Sequence, residues 1–132
     1  MLDGEVSAVK VKSIYRSRVV VADGDEPLAD AATRMRENQV GALMVMDGER
    51  LAGILTERDL TRAIAEGAHP EAVPVADYMT GWPTVVSPDS DVREAVLAML
   101  EQECRHLPVV EDDQVVGMVS IRDLLGSAIR VA

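Results

Sequence analysis

At 132 residues, 48% apolar and 27% charged, the chain has the length of one domain, long enough for a contiguous core and too short for two independent ones. A formal charge of −10 and a pI near 4.5 argue against nucleic acid or an anionic membrane as partners, so an anion would need a local basic pocket. No run approaches the roughly 20 apolar residues that cross a bilayer, and the first residues lack the basic and apolar regions of a signal peptide, so a cytoplasmic protein is expected. The single cysteine, Cys104, excludes an intrachain disulfide and a multi-cysteine zinc site, and reads as a small buried apolar residue near a helix end.

In chain order, a short β-rich run at Val19, Val20 and Val21 meets a turn over 23–27, rich in Asp, Gly and Pro. Leu28, Ala31, Ala32 and Met35 then recur at helical spacing, with Arg34, Arg36 and Glu37 on the polar face. Two apolar runs, 43–46 and 51–55, flank Asp47-Gly48 and predict a hairpin. A second helix is expected over 58–66, entered through Thr56, and the stretch 67–74, with His69, Pro70 and Pro74, reads as a linker. The cycle then returns: a strand at Thr84, Val85 and Val86, a turn over 87–91, a helix marked by Val92, Ala95, Val96, Met99 and Leu100, a hairpin of 107–110 and 115–119, and a helix over 121–129.

The return is an ungapped repeat. The run Gly53-Ile54-Leu55-Thr56-Glu57-Arg58-Asp59-Leu60 reappears as Gly117-Met118-Val119-Ser120-Ile121-Arg122-Asp123-Leu124, 64 positions later, and the same offset pairs Val21 with Val85, Met35 with Met99 and Val45 with Val109. Each copy is a β-α-β-β-α unit, giving an α/β (α+β) fold class. The chain has no Phe, so its core must be aliphatic and methionine-based.

The repeated strand, Gly, two apolar residues, Ser or Thr, two residues, Asp and helix has two readings. In one, Thr56 and Ser120 cap their helices and Asp59 and Asp123 close capping boxes. In the other, the helix N-terminus and the hydroxyl hold a phosphate, Gly53 and Gly117 let a ligand approach the backbone, and each Asp accepts the two hydrogens of a ribose diol. Asp rather than Glu at the fourth position of both copies favours the ribose reading.

With Val40-Gly41-Ala42-Leu43 before one hairpin and Arg105-His106-Leu107-Pro108-Val109 before the other, the repeat resembles a tandem pair of CBS domains, the module named after cystathionine β-synthase, over residues 11–129. Residues 75–80 resemble the family's lead-in, whereas 11–15 depart from it. The resemblance implies repeats over 11–66 and 75–132 related by a pseudo-twofold axis, clefts between them for adenosine-containing ligands, pairing through helices, and no reaction of the module's own. By position, Asp59 and Asp123 would hold ribose, and Thr56 and Ser120 phosphate. Gly41, Ala42, Leu43, Arg105, His106 and Leu107 would line the clefts. Val20, Val21, Ala22, Thr84, Val85 and Val86 would flank adenine, and Arg58 and Arg122 would supply positive charge or simply be solvated.

The ligand class spans AMP, ADP, ATP, NAD and S-adenosylmethionine, with no cofactor required. Arg105 and His106 in place of Gly41 and Ala42 would draw the more highly phosphorylated ligand to the second copy. A wide apolar stripe over 92–103 predicts a homodimer, and the output would pass to a separate, regulated protein. The competing readings are a dimerisation module with empty or degenerate clefts and a subunit that binds another protein or nucleic acid, the acidic balance disfavouring the latter. Trp82 is expected to pack half-buried rather than stack on a base, and His69 to face solvent. Asp23, Asp25, Asp47, Asp112 and Asp113 lack the ligand ladder of a calcium loop, and no catalytic triad, zinc motif or phosphate loop is present.

Overall fold

A computed structural model describes residues 9–131, with side chains as far as residue 127. The chain forms two compact units, one built from residues 20–83 and the other from 84–131 together with 9–19. The mixed α and β fold expected from the repeat is present in both.

In the copy-one unit, β1 (Val21–Asp23), α1 (Leu28–Asn38), β2 (Ala42–Asp47), β3 (Arg50–Thr56) and α2 (Glu57–Ala65) follow the predicted order. A 3-10 turn at Val75–Asp77 and a two-residue strand β4 (Thr80–Gly81) complete it. The sheet runs β1-β2-β3-β4, with β1 parallel to β2 and the other pairs antiparallel. The helical periodicity places Leu28, Ala31 and Met35 against Leu43, Val45 and Leu55 of the sheet, joined by Ala63 and Val75. Burying each large aliphatic side chain here contributes about 1.5–3 kcal/mol. Arg34, expected on a polar face, instead makes a two-pronged ion pair with Glu26 at 2.7 and 3.0 Å and donates to the Val21 carbonyl at 2.8 Å, tying α1 to β1.

In the copy-two unit, a 3-10 turn at Val11–Ser13 precedes α3 (Val92–Gln102), β5 (His106–Glu111), β6 (Gln114–Ser120) and α4 (Ile121–Val131). Val11, Val86, Ala95, Met99, Leu107, Val109, Val119 and Leu124 form its core, and Cys104 packs partly buried against it. The strand expected at Thr84, Val85 and Val86 shrinks to a single parallel bridge between Val86 and Val109. The cause is Pro108. In copy one the Met44 N–H donates to the Val20 carbonyl at 3.1 Å, but its counterpart Pro108 has no N–H to give Thr84.

The 64-residue offset also governs a segment that local pattern does not reveal. Thr80 pairs with Ile54 in one unit and Arg16 with Met118 in the other, while Pro74 bridges Pro27 as Lys10 bridges Asp91. Each lead-in thus lies along the hairpin of the other copy. Gly53 and Gly117 make this possible, since a Cβ on Gly53 would stand 2.7 Å from both Met79 Sδ and the Thr80 carbonyl. One on Gly117 would meet the Tyr15 ring at 2.5 Å and the Arg16 carbonyl. The motif glycine therefore admits a neighbouring segment of the protein's own chain, which corrects its reading as a point of ligand approach.

Trp82 is also corrected. It is 91% exposed, and its φ of +49° turns the chain immediately after β4, leaving the indole outside the core of its unit. His69 is exposed, as expected. Among the described residues no helix is long and apolar enough to cross a membrane.

Candidate functional site

Both readings of the Ser/Thr-x-x-Asp motif begin from a capping box, and the structure builds one in each copy. In copy one the Thr56 N–H donates to Asp59 Oδ2 at 2.8 Å, and the Asp59 N–H donates back to Thr56 Oγ1 at 3.4 Å. In copy two the Ser120 N–H donates to Asp123 Oδ2 at 2.9 Å, and the Asp123 N–H to Ser120 Oγ at 3.1 Å. Two otherwise orphaned N–H groups are satisfied at each helix start, worth about 1 kcal/mol per cap.

Capping leaves the two carboxylates with different capacity. A carboxylate accepts about four hydrogen bonds. Asp59 already takes three, from the Thr56 N–H, from the Thr56 hydroxyl at 3.1 Å and from Arg62 Nη2 at 3.4 Å. Asp123 takes two among the described residues, from the Ser120 N–H and from Arg16 Nε at 3.0 Å. A cis-diol brings two donors, so Asp123 can receive one as it stands, whereas Asp59 can do so only if Thr56 or Arg62 lets go. The hydroxyls differ likewise. Thr56 donates its proton to Asp59, while among the described hydrogen bonds Ser120 Oγ acts only as an acceptor.

The other predicted residues gather at the same corner of each unit. Ala42 pairs with Thr56 across the hairpin, and Glu57 N–H donates to the Gly41 carbonyl at 3.1 Å, which sets residues 41 and 42 beside the start of α2. His106 pairs with Ser120, and Ile121 N–H donates to the Arg105 carbonyl at 2.8 Å, an equivalent arrangement at α4. Ala42 is buried, and Leu43, Leu107, Ala22 and Val86 belong to the two cores, so at a site they offer backbone rather than side chain. Val21 and Val85, equivalent by the offset, are each 42% exposed, Val20 is half-buried, and Thr84 is exposed. Arg58, Arg105 and Arg122 lie on the surface, and His106 is half-buried.

Sequence reasoning missed Arg16 and Arg62, the two cations that reach the motif carboxylates. Arg62 lies three residues after Asp59 on α2, a spacing that could have revealed it. Arg16 lies 107 residues before Asp123, with no local signal. Arg62 also donates to the Tyr78 carbonyl at 3.1 Å and sits 4.9 Å from the center of the Tyr78 ring, while the Tyr78 hydroxyl donates to Glu66 at 2.9 Å. That bond and the adjacent Glu66 charge raise the Tyr78 pKa above its ordinary value.

The sequence profile of the CBS domain matches residues 11–66 and 75–129. A 17.7 kDa protein from the bps2 3′ region of Acidianus ambivalens is 38% identical over 89% of this chain and 71% of its own length. Arabidopsis thaliana CBS domain-containing relatives at 36–37% identity are longer, and this chain spans 22–24% of them. Among solved structures, a CBS-domain protein from Burkholderia ambifaria MC40-6, a candidate for signal transduction, shares 32% identity over 96% of this chain and 92% of that one, with a TM-score of 0.84. The CBS domain pair of protein MJ0100, in complex with 5′-methylthioadenosine and S-adenosyl-L-methionine, has the same fold at a TM-score of 0.86, with 23% identity over 94% of this chain and 98% of that one. With the duplicated unit, the paired motif and the profile in agreement, the chain belongs to the CBS-domain family and carries a tandem pair of its modules.

Proposed function

We propose that the chain is a non-catalytic sensor of an adenosine-containing ligand, a nucleotide such as AMP, ADP or ATP, whose occupancy is passed to a partner protein. The observation that carries this reading is the state of Ser120 and Asp123. The cap is complete, yet a hydroxyl donor and two acceptor positions remain available among the described residues, beside the N-terminus of α4. A ribose diol and a phosphate need that complement. The exposed Val21 and Val85 at matching positions supply apolar surface for a base, and the reading is supported by the complex of MJ0100, a protein of the same fold, with 5′-methylthioadenosine and S-adenosyl-L-methionine.

Asp→Asn variants separate the cap from the ligand role. The Asn carbonyl can still accept the N-cap N–H, while its amide replaces an acceptor oxygen with a donor. A thermal-shift panel of adenosine, AMP, ADP, ATP, NAD and S-adenosylmethionine is expected to show at least one stabilizing ligand. At about 100 times its Kd it adds about 2.7 kcal/mol to the unfolding free energy. Asp123→Asn should remove most of the shift and Asp59→Asn less. A flat panel at millimolar ligand, or unchanged affinity in a folded double variant, would return the motif to plain capping and leave a dimerisation or protein-interaction module.

A further inference from the structure

We propose that Arg16 reads the ligand's phosphate at the Asp123 site, so that one copy discriminates nucleotides from nucleosides; this rests on the nucleotide reading above. Arg16 Nε donates to Asp123 Oδ1 at 3.0 Å, and the two side chains differ sharply in exposure, 72% for the arginine against 7% for the aspartate. Its backbone is fixed: Arg16 N–H donates to the Met118 carbonyl and Met118 N–H to the Arg16 carbonyl, both at 2.9 Å, with Tyr15 wedged over Gly117. Only Nε is engaged among the described hydrogen bonds, and with the side chain 72% exposed the donors of the two terminal nitrogens remain available.

Copy one solves the same electrostatic problem differently. The position equivalent to Arg16 is Thr80, and Asp59 is instead braced by Arg62, whose own counterpart in copy two is Gly126. Arg62 is held by the Asp59 carboxylate, the Tyr78 carbonyl and the Tyr78 ring, and so is a positioning residue. Arg16 has one anchor and an open fork. A nucleotide whose ribose diol is held by Asp123 carries its phosphate one ring away, within the sweep of a guanidinium that starts from the same carboxylate. Two parallel N–H donors then match two phosphate oxygens.

The test is calorimetric titration with AMP and with adenosine, in an Asp59→Asn background that isolates the copy-two motif. Arg16→Gln is expected to weaken AMP binding about 10-fold or more and to leave adenosine within about 3-fold, since a charged hydrogen-bonded contact is lost from one ligand only. Arg16→Lys, which keeps the charge but not the fork, should fall between. Equal losses for both ligands would show that Arg16 merely holds the carboxylate, and no loss for either would show that it is a surface ion pair; each overturns the proposal alone. If the wild type binds neither compound while another of the panel binds, this proposal falls alone; if Asp123→Asn binds AMP as the wild type does, or the whole panel is flat, the nucleotide reading fails with it. Adenosine binding by the Arg16 variants doubles as proof that they are folded.

Discussion

Gly117→Ala distinguishes the two accounts of the motif glycine. The added methyl would press on the Tyr15 ring at 2.5 and 2.6 Å and on the Arg16 carbonyl, and the backbone carbonyl cannot rotate away as a side chain can. One route of relief is to tolerate the overpacking, at about 1–3 kcal/mol. The other is to lift the lead-in, which loses the paired Arg16 and Met118 hydrogen bonds at about 1 kcal/mol each and uncovers Val11, now 0% exposed. Both routes converge on a loss of about 2–3 kcal/mol. At roughly 4 °C per kcal/mol for a chain of this length, Tm should drop by about 8–12 °C. Gly53→Ala should cost less, because one of its two obstacles is the flexible Met79 thioether. The assays are urea and thermal melts with a binding titration alongside. A Gly117→Ala protein that melts with the wild type but loses ligand affinity would refute the packing account and restore the ligand one.

Two further outcomes are expected. The Arg34 guanidinium holds the Glu26 carboxyl below its ordinary pKa, so the pair stabilises the fold fully above the unfolded glutamate value of about 4.3 and progressively less as pH falls through the depressed one. Glu26→Gln should therefore cost about 1 kcal/mol at pH 7, allowing for screening of partly exposed side chains, with the gap closing in acid; a gap constant from pH 7 to 3 would rule this out. Leu97 and Leu100 on α3 and Leu125 on α4 are 58%, 69% and 58% exposed, whereas the equivalent positions in copy one are Thr33, Arg36 and Thr61. Light scattering should give twice the 14.2 kDa chain mass, reverting to the monomer in a Leu97→Glu/Leu100→Glu variant, and a monomeric wild type would exclude this face as the dimer contact.

The repeat and its elements were legible because each is encoded locally and stated twice. What escaped was non-local or contextual. Nothing in residues 10–16 says which sheet they join, and a glycine required by an approaching strand looks the same in sequence as one required by a ligand. Pro108 was visible throughout, but it erases a strand only once the Met44 N–H is known to hold the equivalent one. The helices α1 and α3 end at Gln39 and Glu103, with φ of +56° and +52°, so a left-handed cap forms without the glycine that would have announced it. At the site, the pairing of hydroxyl and carboxylate was readable, while the arginines depended on tertiary placement.

Of four differences between the copies at the motif, three add a basic side chain to copy two and one removes it. Relative to copy one, copy two replaces Gly41 with Arg105, Ala42 with His106 and Thr80 with Arg16, all beside its motif, and exchanges Arg62 for Gly126. Copy one keeps Arg62, but its charge is bound to Asp59 and to Tyr78. In a chain of net charge −10 the long-range field opposes any anion, so binding must be won by local donors over distances shorter than the screening length of about 8 Å. Those donors accumulate at Ser120 and Asp123, where acceptor capacity for a diol also remains. Duplication supplied two equivalent caps; divergence around one of them concentrated the charge, so phosphate selectivity is expected to reside in copy two while copy one favors a less charged ligand.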